Sequence, residues 1–180
     1  MTAELLLELT RRHLEPHRHY HSVEHVAAML HAGRVFPLDD AQIMAVWFHD
    51  AVYDPRSTTN EEDSAALART LLLTAGWGED RVELVQRIVL DTKRHAPSLP
   101  AAAPVLDLDL MSLAAPWPEF VRNTENIRKE YAHVADAEFA AGRTAFFTAM
   151  LERQRLFFTP FGAALEPAAR ANLQRALHAR

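Results

Sequence analysis

The chain has 180 residues, 49% of them apolar and 24% charged, with 19 basic against 24 acidic side chains for a net charge of −5. That composition is globular and excludes a largely disordered chain. The lack of a basic field excludes a nucleic-acid backbone as a main partner. With no cysteine, disulfides, thiolate nucleophiles, cysteine zinc sites and iron–sulfur clusters are excluded as well.

The elements follow in chain order. Leu5, Leu6, Leu9 and His13 fall on a helical period, with Glu4, Glu8, Arg11 and Arg12 outside, and Pro16 closes that helix. Glu4 and Glu8 also break up the N-terminal leucines, and no basic stretch precedes them, so no signal peptide is expected. A stripe of Val23, Val26, Ala27 and Leu30 predicts a second helix from Ser22 to about Val35. Asp39 or Asp40 caps a third, which carries Ile43, Met44, Trp47 and Phe48 and ends near 50–53, ahead of Asp54-Pro55. Thr59 or Asn60 caps a fourth, ended by Gly76-Trp77-Gly78. Glu79 to about Arg94 is amphipathic through Val82, Val85, Ile88 and Val89. A proline-rich connector, 96–104, leads to Val105–Leu110. Its alternation resembles a strand, but the chain supplies no sheet partner, so a helical turn is expected. Helices over about 117–133 and 136–153, an irregular stretch from 153 to 162 and a helix over 167–179 complete the chain. The expectation is all-α, a single domain over residues 1–180. No apolar run approaches the roughly 18 residues of a membrane span, so the expected setting is the cytoplasm, with no membrane partner.

The unusual number is ten histidines, four of them between positions 13 and 21 and a fifth at 25. His21 and His25, four apart at a helix start, share one face and form half of a divalent-metal site, or else a solvated pair. His49-Asp50 follows the bulky Trp47-Phe48; burying such a dyad requires a partner, which a metal would be, unless it ends a helix in water. Asp107 and Asp109 lie among Leu106, Leu108 and Leu110 and raise the same choice. Together these residues offer a mixed nitrogen and oxygen shell that suits Mn, Fe, Co, Ni or Zn better than Ca and leaves room for water.

Tyr20-His21-Ser22-Val23-Glu24-His25, then His49-Asp50, then Asp109-Leu110-Met111-Ser112 resembles the HD-domain superfamily of metal-dependent phosphohydrolases. The spacing is 24 residues from His25 to His49 and 59 from Asp50 to Asp109. Arg18-His-Tyr-His, Trp47-Phe-His-Asp-Ala-Val-Tyr-Asp-Pro and Arg128-Lys-Glu-Tyr-Ala-His-Val are similar to a branch of small stand-alone HD phosphohydrolases, across nearly the whole chain. The resemblance implies an HD-type helical bundle with one or two divalent ions (Mn, Fe, Co, Ni, Mg or Zn). It also implies hydrolysis of a small phosphorylated substrate, often a nucleotide.

Carried over residue by residue, the metal ligands are His25, His49, Asp50 and Asp109. Asp109 is preferred to Asp107 because Asp-Leu-x-Ser resembles the family's last motif. His21 becomes the proton donor to the leaving group, as in the similar Tyr-His-x-x-x-His of cyclic-nucleotide phosphodiesterases. Arg18 is the nearest phosphate clamp, with a solvated arginine as the alternative. Glu61 orients water or a ligand histidine, or simply favours a helix N-terminus. His95 and Lys93 are substrate-binding candidates, with a helix-terminal histidine and a solvated lysine as the plainer readings. Arg128 and Tyr131 carry the resemblance without a role.

Two other readings compete. His21-Ser-Val-Glu-His25 matches the inverted zinc-protease motif, with Glu24 as base, but leaves His49-Asp50 and Asp109 unexplained. A non-catalytic module that binds metal or nucleotide on the same scaffold is the other.

Overall fold

The computed structural model describes residues 2–179. It is all-helical, with nine α-helices and no strand among the described residues. The chain forms two compact units, Met1–Leu106 and Asp107–Arg180.

In the first unit α1 spans Ala3–His13, capped by the Thr2 hydroxyl, which accepts from the Leu5 amide at 3.2 Å. It buries Leu5, Leu9 and His13 at a spacing of four. α2 runs Val23–Ala32 and tightens into a 3-10 turn at Gly33–Val35. α3, Asp40–Phe48, begins with a capping box. The Asp39 carboxylate accepts from the Gln42 amide, and the Gln42 side chain accepts from the Asp39 amide.

Ala41, Met44, Ala45, Val46, Trp47 and Phe48 are all buried, and only Asp40 at the start of α3 is exposed, so the helix is central to the unit. It packs on α2, on α4 (Asn60–Thr74) and on α5 (Glu79–Thr92). α5 contributes Val82, Val85, Ile88 and Val89, each with no exposed surface. Gly76 makes the turn between α4 and α5 with φ +82°, a conformation open to glycine at little cost.

α6, Ala103–Leu110, is a helix, as expected for the segment whose alternation mimics a strand. Pro100–Ala102 already forms a 3-10 turn before it, so the connector is shorter than its prolines suggest. A further 3-10 turn follows at Met111–Ala114.

The second unit holds α7 (Trp117–Glu130), α8 (Asp136–Glu152) and α9 (Pro160–His178) around a core that includes Phe120, Phe147, Leu156 and Leu173. Arg128 has a structural task here. It donates to the carbonyls of Tyr131 and Val134 and to the Asp136 carboxylate, fastening the turn between α7 and α8.

α9 starts at Pro160, seven residues ahead of the expected 167. The Thr159 hydroxyl caps it by accepting from the Gly162 amide at 3.1 Å, and Pro160 takes the first helical position, where a missing amide costs nothing. Pro167 lies inside the helix on an exposed face and offers no amide to the carbonyl of exposed Ala163.

Candidate metal centre

α3 delivers its last buried turn straight into the His49-Asp50 dyad. His49 is 2% exposed and its Nδ1 donates to the Val46 carbonyl at 2.8 Å. A carbonyl only accepts, so the proton sits on Nδ1 and the lone pair on Nε2 points onward. Nε2 lies 2.9 Å from Asp50 Oδ2. A lone pair and a carboxylate oxygen at that distance require a proton or a cation to reconcile them.

His25, buried in the first turn of α2, brings its ring to 5.4 Å from the His49 ring, edge to face. One ligand atom from each of His25, His49 and Asp109 lies within 4.8 Å of the others, a group that could hold a metal ion. Two imidazole nitrogens and one carboxylate oxygen are the donors that divalent first-row metals take. The donor set suits a divalent ion; Asp50, the fourth expected ligand, lies beside His49 but is not a member of the group.

The two aspartates of α6 are told apart by what each carboxylate meets. Asp107 is fully buried and accepts from the Phe158 amide at 2.8 Å, the Thr159 amide at 2.7 Å and the Thr159 hydroxyl at 2.6 Å. It anchors the start of α9. Burial pushes its carboxyl up from the usual carboxylate range, while the Thr159 and Phe158 donors oppose that rise. Gly162 belongs to the same arrangement: a Cβ there would run into the Asp107 carboxylate and the Phe157 side chain. Asp109 is the aspartate grouped with the two histidines.

The backbone after the dyad is pinned residue by residue. Arg18 donates to the carbonyls of Asp50 at 2.7 Å and Ala51 at 3.3 Å. Buried Ser64 on α4 accepts from the Val52 amide and donates to the Val52 carbonyl. His17 bonds the Tyr53 carbonyl at 2.9 Å, and the Asn60 side chain bridges both the amide and the carbonyl of Asp54. Asn60 is thus a loop brace, and Thr59 is the residue at the N-cap of α4.

The remaining expected residues fall as follows. His21 packs on Tyr53 with ring centroids 4.3 Å apart and lies edge-on to Tyr20 at 4.9 Å. It is not a member of the three-residue metal group. Glu24 accepts from the Ser22 hydroxyl at 2.6 Å and is exposed, an arrangement that lends the zinc-protease reading no support.

Arg18 departs from both sequence expectations, the phosphate clamp and the solvated side chain. It is buried, and its guanidinium turns inward onto main-chain carbonyls and Glu15. Lys93 is not simply solvated either. It donates to Glu62 and to the Thr58 carbonyl, with Glu61 3.6 Å away, and the Glu62 contact raises its pKa above the usual lysine value. Glu61 sits in the first turn of α4, where an acid suits the helix terminus. His95 lies just beyond α5 with φ 45°, a left-handed conformation uncommon outside glycine.

Two residues beside the dyad carry no motif and escape a sequence reading. His13 is 1% exposed and its Nε2 donates to the Trp47 carbonyl at 2.9 Å. Burial drives its pKa down to about 4, against the opposing pull of that hydrogen bond. His17 stacks on Tyr53 with the rings 5° from parallel. The core position of His13 on the α1 stripe is its only sequence signal; His17 has none.

Comparison with protein-family models, curated proteins and solved structures returned no match. No helix among the described residues is long and apolar enough to cross a membrane.

Proposed function

We propose that the chain is a metal-dependent phosphohydrolase that acts on a small phosphorylated substrate, nucleotide-like in character, within the cytoplasm. The observation that carries this reading is the grouping of His25, His49 and Asp109 within 4.8 Å. The order in which these residues occur along the chain is the one that resembles the HD superfamily.

In this reading His25, His49 and Asp109 hold the ion, and Asp50, 2.9 Å from His49 Nε2, completes the ligand set. A divalent ion bound there supplies Lewis acidity and lowers the pKa of a coordinated water from about 15.7 toward about 7. With one oxygen toward the ion, the other oxygen of Asp50 would accept a hydrogen bond from the attacking water and orient it toward phosphorus. His21, held against Tyr53 and Tyr20, passes a proton to the departing oxygen. The Nδ1 bond of His49 to Val46 fixes the ring so that Nε2 stays the donor to the ion. Tyr20, with its ring 5.1 Å from that of His25, limits the rotation of the second imidazole.

The experiment is phosphate release from a panel of nucleoside monophosphates, cyclic nucleotides and simple phosphate esters, with Mn, Fe, Co, Ni, Mg or Zn supplied in turn. Turnover that depends on the ion and disappears in Asp109→Ala is the expected result. Activity retained in Asp109→Ala under saturating chelator overturns the reading. Ion binding and tight nucleotide binding with no turnover under any ion point to the non-catalytic module instead.

A further inference from the structure

We propose that residues 13–18 form a carbonyl clamp that positions the His49-Asp50 dyad, with Arg18 as its principal residue. The inference deepens the metal-site reading above and rests on it for its functional meaning.

A helix ends with carbonyls that have no amide of their own to accept from, and many helices solve this with a glycine turn. α3 has no glycine at its end. Donors arrive instead from the end of α1 and the connection that follows it. His13 Nε2 reaches the Trp47 carbonyl at 2.9 Å, and Arg18 reaches the carbonyls of Asp50 at 2.7 Å and Ala51 at 3.3 Å. His17 Nε2 reaches the Tyr53 carbonyl at 2.9 Å. Three side chains from a six-residue stretch thus grip the backbone on both sides of the dyad.

Arg18 does more than cap. The Nη1 atom that donates to Asp50 also donates to the His21 carbonyl at 3.1 Å, in the turn that leads into α2 and His25. Its Nε is held by Glu15 at 3.0 Å, which fixes the plane of the guanidinium, and the side chain has no exposed surface. One rigid fork therefore sets the distance between the segment that carries His25 and the segment that carries His49 and Asp50. The charge makes each of these bonds stronger than a neutral one. A lysine ammonium is a point donor on a flexible stem and cannot span the same carbonyls with fixed geometry. Arg18 touches no reacting atom; it is a positioning residue.

The test uses the full chain as wild type, Arg18→Lys and His17→Ala. Three quantities are read: the melting temperature without metal, cobalt(II) affinity with its d–d absorption spectrum, and amide hydrogen exchange over residues 49–53. Arg18→Lys is expected to stay folded and to bind cobalt about 10- to 100-fold more weakly. Its ligand-field bands should shift, and exchange should quicken over 49–53 while the α5 core stays protected. His17→Ala should move the same readouts in the same direction by less.

Wild-type cobalt affinity, spectrum and exchange in Arg18→Lys would overturn the clamp, even with a lowered melting temperature. If Arg18→Lys does not fold, His17→Ala decides by the same readouts. If the wild type takes neither cobalt nor any of Mn, Fe, Ni, Mg and Zn, the metal reading fails, and exchange over 49–53 judges the clamp alone. Unchanged protection then overturns it, and loss confined to that segment upholds it.

Discussion

His49 and Asp50 face one another through Nε2 and Oδ2 at 2.9 Å, while the other imidazole nitrogen already donates to the Val46 carbonyl. A proton or a cation must lie between these two atoms. Here the neighbours give the arrangement its sense, because His25 and Asp109 bring a second imidazole and a second carboxylate to the same place. A cation held by His25, His49 and Asp109 would meet the lone pair of His49 as well.

Removal of divalent ions should therefore cost stability. Protein dialysed against chelator is expected to melt lower than protein at one hundred times the dissociation constant, by the equivalent of about 2.7 kcal/mol. His49→Ala should abolish that increment while the apo protein still unfolds cooperatively. Calorimetry with and without added Mn, Co or Zn measures it.

The two aspartates of α6 should separate by phenotype. Asp107→Ala leaves the Phe158 and Thr159 amides and the Thr159 hydroxyl without their acceptor, and a loss of about 3–5 kcal/mol is expected. Asp109→Asn keeps the shape of the side chain and removes the charge that an ion needs. It should cost under about 1 kcal/mol in the metal-free protein and lose most metal binding. Urea denaturation, paired with metal analysis of the purified variants, separates the two outcomes.

Much of this arrangement was legible before any coordinates. The helical period of Leu5, Leu9 and His13 and the Asp39 cap stand in the residues themselves, because local geometry and burial dictate both. The histidine and aspartate spacings direct attention to the residues that the fold groups. Arg18 was not legible as a clamp. An arginine beside histidines has the same letters whether it faces a phosphate or three carbonyls, and only the path of residues 13–22 decides. The start of α9 is hidden for a related reason: the Thr159 cap and the Asp107 anchor begin it at Pro160, and the latter contact spans 52 residues of sequence.

Gly162 should not accept a side chain. In Gly162→Ala the new methyl meets the Asp107 carboxylate and Phe157 at distances that real side chains do not adopt, and both neighbours are held in place. A loss of about 2–3 kcal/mol is expected from overpacking alone. Double-mutant analysis with Asp107→Ala should give a combined loss smaller than the sum, because the part of the clash made with the carboxylate disappears while the contact with Phe157 stays.

Acid should destabilise the first unit through His13. In the fold burial holds this imidazole at about 4, below its ordinary 6.5, with the positive charge of Arg18 also resisting protonation. The unfolded chain therefore binds more protons than the folded one between these values. The stability contributed by the neutral ring is complete above about pH 6.5 and is lost as the pH falls toward 4, to a total of at most about 3 kcal/mol. His13→Gln retains an amide that can donate to the Trp47 carbonyl but does not titrate. Its unfolding free energy, measured by urea denaturation of metal-free protein from pH 7 to pH 4, should fall less steeply than that of the wild type. Parallel curves would show that His13 does not set the acid limit of the fold.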